Sequence, residues 1–167
     1  SVSGYKIKEK LYESPRTAIY RGLRNKDNTP VILKILNNEY PSPEEIASFK
    51  REYEITRNLN TDGVINVYGL KKFKHSLMMS LEDFGGKSLT KALASRKLSL
   101  SEFLQLAIQL TAILGEIHQK RIIHKDINPS NIIWNPATDQ VKIIDFGIST
   151  ALSLETPAIF NPNVLEG

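Results

Sequence analysis

The segment "IIHKDINPSNII" (122–133) sets an acid, Asp126, five residues before an amide, Asn131, with apolar runs on both sides. Lys125 and Asn128 lie in the same loop, and "DFG" follows with Asp145 14 residues after Asn131. Upstream, one lysine, Lys34, interrupts the apolar run "VILKIL" (31–36), and the next helical stretch carries two acids, Glu52 and Glu54. A strand lysine ordinarily lies on a solvated edge, but Lys34 has Val31, Ile32, Leu33, Ile35 and Leu36 around it. Taken singly, the loop reads as a polar turn and "DFG" as a common tripeptide. Their order carries the information: buried lysine, helical acid, Asp…Asn loop, late aspartate. With no cysteine in the chain there is no disulfide framework and no thiolate metal site.

The elements that must hold these residues are readable. "YKIKEKL" (5–11) alternates with period two, "TAIYRGL" (17–23) follows Ser14-Pro15, and "NKDNTP" (25–30) is a turn before the strand 31–36. Ser42, Pro43 and Glu45 make a capping box, after which Ile46, Phe49, Tyr53, Thr56 and Leu59 recur at helical spacing until "NTDG". Glu52 sits beside Phe49 and Tyr53, near the inward face, which favours it over Glu54 as the partner of Lys34. Two more strands, 64–70 and 76–82, precede the Gly-Gly of "DFGGKSL". A short helix over 88–95 follows. A long one starts at the box Ser99…Glu102, with Phe103, Leu106, Ala107, Leu110, Ile113, Leu114 and Ile117 expected on its buried side. Two short strands, "NIIW" and "VKII", flank the turn "NPATDQ".

Composition bounds the rest. The chain of 167 residues is 41% hydrophobic and 24% charged, as in a globular domain, with a net charge of +4. Its basic residues are scattered, so a phosphate-rich ligand fits but a nucleic-acid stripe is absent. The N-terminus has no apolar core of a signal peptide, and 103–117 is broken by Gln105, Gln109, Thr111 and Glu116, so no membrane span is expected there. The lack of cysteine suits a reducing, cytoplasmic setting.

The ordered set resembles the protein kinase signature over essentially the whole sequence. That resemblance implies an α+β, two-lobe kinase-like fold: a five-stranded antiparallel N-lobe with one helix (1–82), a hinge (83–87) and a partial helical C-lobe (88–167). It implies ATP and Mg²⁺ as cofactors. Lys34 would reach the α- and β-phosphates with Glu52 holding it, Asp126 would orient the acceptor hydroxyl and take its proton, and Asn131 and Asp145 would ligate Mg²⁺. Adenine would lie on the backbone of Glu82-Asp83-Phe84, with Leu81 behind it and Ile133 below the ring.

Three departures stand out. The phosphate loop should read G-x-G-x-x-G, but "YESPRT" (12–17) has Tyr12, Ser14 and Thr17 at the glycine positions, which predicts a stiffer or more distant loop. Asn128 stands where serine/threonine kinases carry a lysine that contacts the transferred phosphate. Lys125 replaces the usual arginine and lacks its bidentate geometry. The resemblance covers about the first two-thirds of a kinase domain, which should leave the helix 101–119 without its usual packing partners.

More narrowly, "YESPRTAIYRG", "NEYPSPEE", "LEDFGGKSL", "IHKDINPSNII" and "NPNVLEG" resemble the N-terminal serine/threonine kinase-like domain of bacterial multi-sensor hybrid kinases, where an ATPase-like region, GAF sensors and a histidine kinase follow. The expected function is transfer of the ATP γ-phosphate to a protein hydroxyl in cytoplasmic signalling. A nucleotide-binding pseudokinase is the alternative. A small-molecule kinase of aminoglycoside type shares the H-x-D…N loop, but the proline of "NPSN" and the full "DFG" favour a protein kinase.

Overall fold

A computed structural model describes residue 2 and residues 4–151; the tail from 152 onward, with "NPNVLEG", lies outside the described residues. The first half is a five-stranded antiparallel sheet in the order β1-β2-β3-β5-β4, from β1 (Tyr5–Glu13), β2 (Thr17–Arg24), β3 (Pro30–Leu36), β4 (Val67–Phe73) and β5 (Ser76–Glu82). One helix, α1 (Pro43–Leu59), packs on it. The expected α+β architecture is present: a sheet-rich part with a single helix, then a helix-containing part.

The alternation of β3 explains how a lysine comes to be buried. Val31, Leu33 and Ile35 face one core with Tyr5 and Met78, whereas Ile32 and Leu36 face the other core with Phe49, Leu77, Met79 and Leu81. Period two puts Lys34 on the second face, under α1. The helix begins as its sequence dictates: the Ser42 hydroxyl accepts from the Glu45 N–H at 3.2 Å and the Glu45 carboxylate accepts from the Ser42 N–H at 2.9 Å. Its buried residues Phe49, Glu52, Thr56 and Leu59 share one face, so Glu52 enters the same layer as Lys34 while Glu54 is exposed.

Strand β4 begins at Val67, three residues later than the apolar run suggests. Gly63 and Ile65 are committed elsewhere: the Ile143 N–H donates to Gly63 C=O at 2.8 Å and the Ile65 N–H donates to Ile143 C=O at 3.3 Å. This stitches the sheet to the second half beside the late aspartate.

The second half contains β6 (Lys87–Ser88), α2 (Leu89–Ser95), α3 (Leu100–Gln119), β7 (Ile122–Ile123), β8 (Ile132–Asn135), β9 (Gln140–Ile143) and β10 (Thr150–Ala151). Its core joins Leu106, Ile113 and Ile117 of α3 to Ile132, Trp134, Val141, Ile143 and Phe146. Helix α3 is capped by the Ser99–Glu102 box, with Arg96 bridging to Glu102 at 2.8 Å. Length and composition alone would let α3 cross a membrane; here its Leu106, Ile113 and Ile117 are packed into the core with Ile132, Trp134 and Phe146. Phe103, expected inward, is instead 58% exposed, and Leu100, Leu104 and Ile108 are exposed with it. Helix α3 joins this core through Leu106, Ile113 and Ile117, with Leu110 and Leu114 partly buried against it, which leaves Leu100, Phe103, Leu104 and Ile108 outside the packing among the described residues.

Candidate active site

Lys34 Nζ lies 2.6 Å from Glu52 Oε1 and 3.6 Å from Asp145 Oδ1. The Lys34 and Glu52 side chains are 13% and 9% exposed, whereas Asp145 is 43% exposed at the open end. Burial opposes the charge on Lys34, but the carboxylates of Glu52 and Asp145 outweigh it and hold the ammonium above its usual range. Burial pushes the Glu52 carboxyl up, against the pull of Lys34, and the Asp145 charge pushes the same way. Two carboxylates therefore compete for one lysine, a crowding that a cation placed on Asp145 would relieve.

Asp145 adopts φ +64, a left-handed conformation that aspartate tolerates better than most residues. Its Oδ1 accepts from the Gly147 N–H at 3.2 Å, and a Cβ added at Gly147 would lie 3.1 Å from that oxygen. A side chain at this position would crowd the carboxylate by a few tenths of an ångström. The Ser48 hydroxyl on α1 reaches Gly147 C=O at 3.5 Å, tying helix and turn together.

The Asp126 carboxylate is held by two amides: Asn128 Nδ2 donates to Oδ1 and Asn131 Nδ2 donates to Oδ2, each at 2.9 Å. Asn131 Nδ2 also reaches Asp126 C=O at 2.9 Å, and Ser130 N–H donates to Asn128 Oδ1 at 2.9 Å. With its nitrogen so engaged, the Asn131 side-chain oxygen is left for another ligand. The Ile144 N–H donates to Asn131 C=O at 3.0 Å, which puts Asn131 against the residue before Asp145. An amide oxygen and a carboxylate are hard donors that suit Mg²⁺, an ion that takes one or two protein oxygens together with substrate phosphates. Among the described residues no cluster of three or more histidine or acidic side chains could hold a metal alone.

His124 supports the loop from below. Its Nδ1 accepts from the Asp126 N–H at 3.1 Å, so Nε2 carries the proton and donates to Ile144 C=O at 2.8 Å. Its ring packs edge-on against Phe146 at 4.6 Å. Lys125 has φ +68, a strained value for lysine that these bonds hold in place.

The segment after β5 is braced by two charged contacts between residues about sixty positions apart, which no local pattern announces. Arg21 Nε donates to Asp83 Oδ2 at 2.7 Å and its Nη2 to Gly86 C=O at 3.3 Å. Lys142, buried on β9, pairs with Glu82 Oε2 at 2.8 Å, and Asn66 N–H donates to the same oxygen at 3.3 Å. Phe84 C=O accepts from Asn135 Nδ2 at 2.7 Å and keeps a second lone pair. Ile133 lies against this segment: a Cβ on Gly86 would meet its Cγ2 at 2.6 Å. Leu81 is buried behind, in the α1-facing core.

The turn between β1 and β2 is closed on itself. Ser14 N–H donates to Thr17 C=O at 2.8 Å and Thr17 N–H donates to Ser14 Oγ at 3.0 Å. Asn37, just past β3, donates from Nδ2 to Ser14 C=O and from its N–H to Arg16 C=O, each at 2.9 Å. These bonds close the turn that the missing glycines predict to be stiffer or more distant.

Comparison with known proteins now bears on the arrangement. The family model for the protein kinase domain matches residues 5–164. The chain belongs to the protein kinase family. Members generally use ATP and Mg²⁺. Similar proteins include a probable serine/threonine-protein kinase of Clostridium acetobutylicum (28% identical, 91% of this chain and 23% of the relative) and the serine/threonine-protein kinase PrkC of Bacillus subtilis (31%, 75% and 20%). The serine/threonine-protein kinase TIO of Arabidopsis thaliana is 30% identical over 93% of this chain and 12% of its own length. The chain thus spans about a quarter or less of the length of these relatives.

Proposed function

We propose that the chain carries the nucleotide site and catalytic loop of a serine/threonine protein kinase that transfers the γ-phosphate of ATP to a protein hydroxyl. The observation that carries this reading is the Lys34 ammonium set between Glu52 at 2.6 Å and Asp145 at 3.6 Å. In this reading residues 1–82 form the N-lobe, 83–87 the hinge and 88–167 part of the C-lobe.

Lys34 neutralises the inner phosphates while Glu52 keeps it extended. Backbone groups of Glu82 and Phe84 bond adenine over Ile133. Asn131 and Asp145 would hold Mg²⁺, which would supply positive charge to offset that of the phosphates during transfer. Asp126, aimed by its two amides, orients the acceptor hydroxyl and accepts its proton. Catalysis is then positioning and electrostatics, with no covalent enzyme intermediate.

The motifs shared with multi-sensor hybrid kinases support a place at the front of a cytoplasmic signalling protein, with sensor and histidine-kinase modules downstream and a protein as substrate. A second reading, the nucleotide-binding pseudokinase, is favoured by Asn128 and by the closed turn at Ser14. The deciding experiment incubates the full-length protein with γ-labelled ATP, Mg²⁺ and a generic basic protein. Label on serine or threonine supports the kinase. ATP bound without any label transferred favours the pseudokinase.

A further inference from the structure

The closed turn between β1 and β2 changes how a nucleotide's outer phosphates can be held, and we propose that Arg16 holds them in place of backbone amides. This rests on the nucleotide site proposed above. A glycine-rich loop binds phosphate by pointing several N–H groups at it. Here the Ser14 N–H is spent on Thr17 C=O, the Thr17 N–H on Ser14 Oγ, and Pro15 has none. Glu13 is paired with Ala18 in the β1–β2 ladder. Of residues 14–17 only the Arg16 N–H is left. Asn37 bonds to the carbonyls of Ser14 and Arg16 and fixes the turn to the end of β3. The turn cannot reshape itself around an anion without losing these bonds.

Charge is nevertheless present at this point. Of the two charged side chains at the tip, Glu13 is neutralised by Lys10 at 2.6 Å. Arg16 is exposed, and no described residue accepts a hydrogen bond from its guanidinium. Thr17 pairs with Leu36 and Ile19 with Lys34, so Arg16 lies opposite Asn37, three positions along the sheet from Lys34. That is about 10 Å of strand. Arg16 lies in the turn just before β2, so strand alternation does not fix its side chain to one face, and a long arginine and a triphosphate running outward from Lys34 span such a gap between them. The planar guanidinium grips phosphate with two parallel bonds, which suits terminal phosphates better than a point charge does. Lys34 then takes the inner phosphates and Arg16 the outer ones, so that the residue selects nucleoside triphosphate over nucleoside.

The test titrates the full-length wild type, Arg16→Ala and Arg16→Lys with Mg·ATP and with adenosine by calorimetry. Arg16→Ala should weaken ATP about tenfold or more, the worth of a hydrogen bond to a charged group, and change adenosine affinity by less than about twofold. Arg16→Lys should fall between, because lysine keeps the charge but loses the fork. An unchanged melting temperature is expected for both variants. ATP affinity equal in wild type and Arg16→Ala overturns this inference alone. Wild type that binds neither ATP nor adenosine overturns the nucleotide site itself, and this inference with it.

Discussion

Asn128 is where the proposed chemistry is most open to improvement, and its bonds set the size of the effect. In the wild type its amide donates to Asp126 Oδ1 at 2.9 Å and accepts from Ser130 N–H at 2.9 Å, so it aims the base but adds no positive charge. A lysine in its place would keep a donor for Asp126 and bring a cation to the phosphoryl group in flight. One such electrostatic contact is worth about 3 kcal/mol in the transition state. The substitution gives up the neutral bond from Ser130 N–H, about 1 kcal/mol. The difference, about 2 kcal/mol, makes Asn128→Lys roughly 30-fold faster than wild type. Asn128→Ala loses the bond to the Asp126 carboxylate, about 1.5 kcal/mol, as well as the Ser130 bond, about 1 kcal/mol, and should be roughly 70-fold slower. Initial rates of label transfer from ATP to a basic protein, at saturating ATP and with full-length variants, measure both. Asn128→Lys no faster than wild type, together with Asn128→Ala equal to it, would refute the reasoning.

Lys34→Met removes the partner of a buried carboxylate, so it should lower stability by up to about 3–5 kcal/mol as well as ATP affinity. Adding Glu52→Gln should restore the melting temperature without restoring ATP binding, and a double variant that regains affinity would show that Lys34 does not contact phosphate. Arg21→Ala frees Asp83 and Gly86, and should weaken ATP and adenosine by the same factor in a titration, since it loosens the adenine segment and not the phosphate end. Hydrogen bonding to Arg96, with Ser99, pulls the Glu102 carboxyl from its ordinary 4.5 down to about 2. Between those values the unfolded chain takes up a proton that the folded cap refuses, so the contribution is full above pH 4.5 and fades toward pH 2. Melting curves of Glu102→Gln should therefore lie below wild type at neutral pH and converge with it in acid.

Residues that act through near neighbours were the legible ones. Ser42–Glu45 and Ser99–Glu102 announce both long helices because a capping box is complete within four residues. The choice of Glu52 over Glu54 follows from helical phase relative to Phe49, and the 2.6 Å contact with Lys34 agrees with it. What escaped depends on partners far along the chain. Val64 and Ile65 look like strand residues, but their backbone meets Ile143, which delays β4 to Val67. Phe103 fits the apolar stripe of α3, yet the helix meets the core through Leu106, Leu110, Ile113, Leu114 and Ile117, and Phe103 stays exposed. Arg21–Asp83 and Lys142–Glu82 carry no local signature, since each charge alone reads as an ordinary solvated side chain. The missing glycines of "YESPRT" are visible in the sequence, whereas the hand-over of its amides to Thr17 C=O and Ser14 Oγ, and the bonds its carbonyls accept from Asn37, are visible only in three dimensions.

The division of labour between the two aspartates is the core of the account, and one paired measurement tests it. Mg²⁺-dependent ATP affinity and phosphate transfer are determined on the same preparations of full-length wild type, Asp126→Asn and Asp145→Asn. Asp126 is held by Asn128 and Asn131, and Asp145 lies 3.6 Å from Lys34. The predicted result is that Asp126→Asn binds Mg·ATP as wild type does but transfers no phosphate, while Asp145→Asn does neither. Transfer that persists in Asp126→Asn, or ATP binding lost there as severely as in Asp145→Asn, would contradict it.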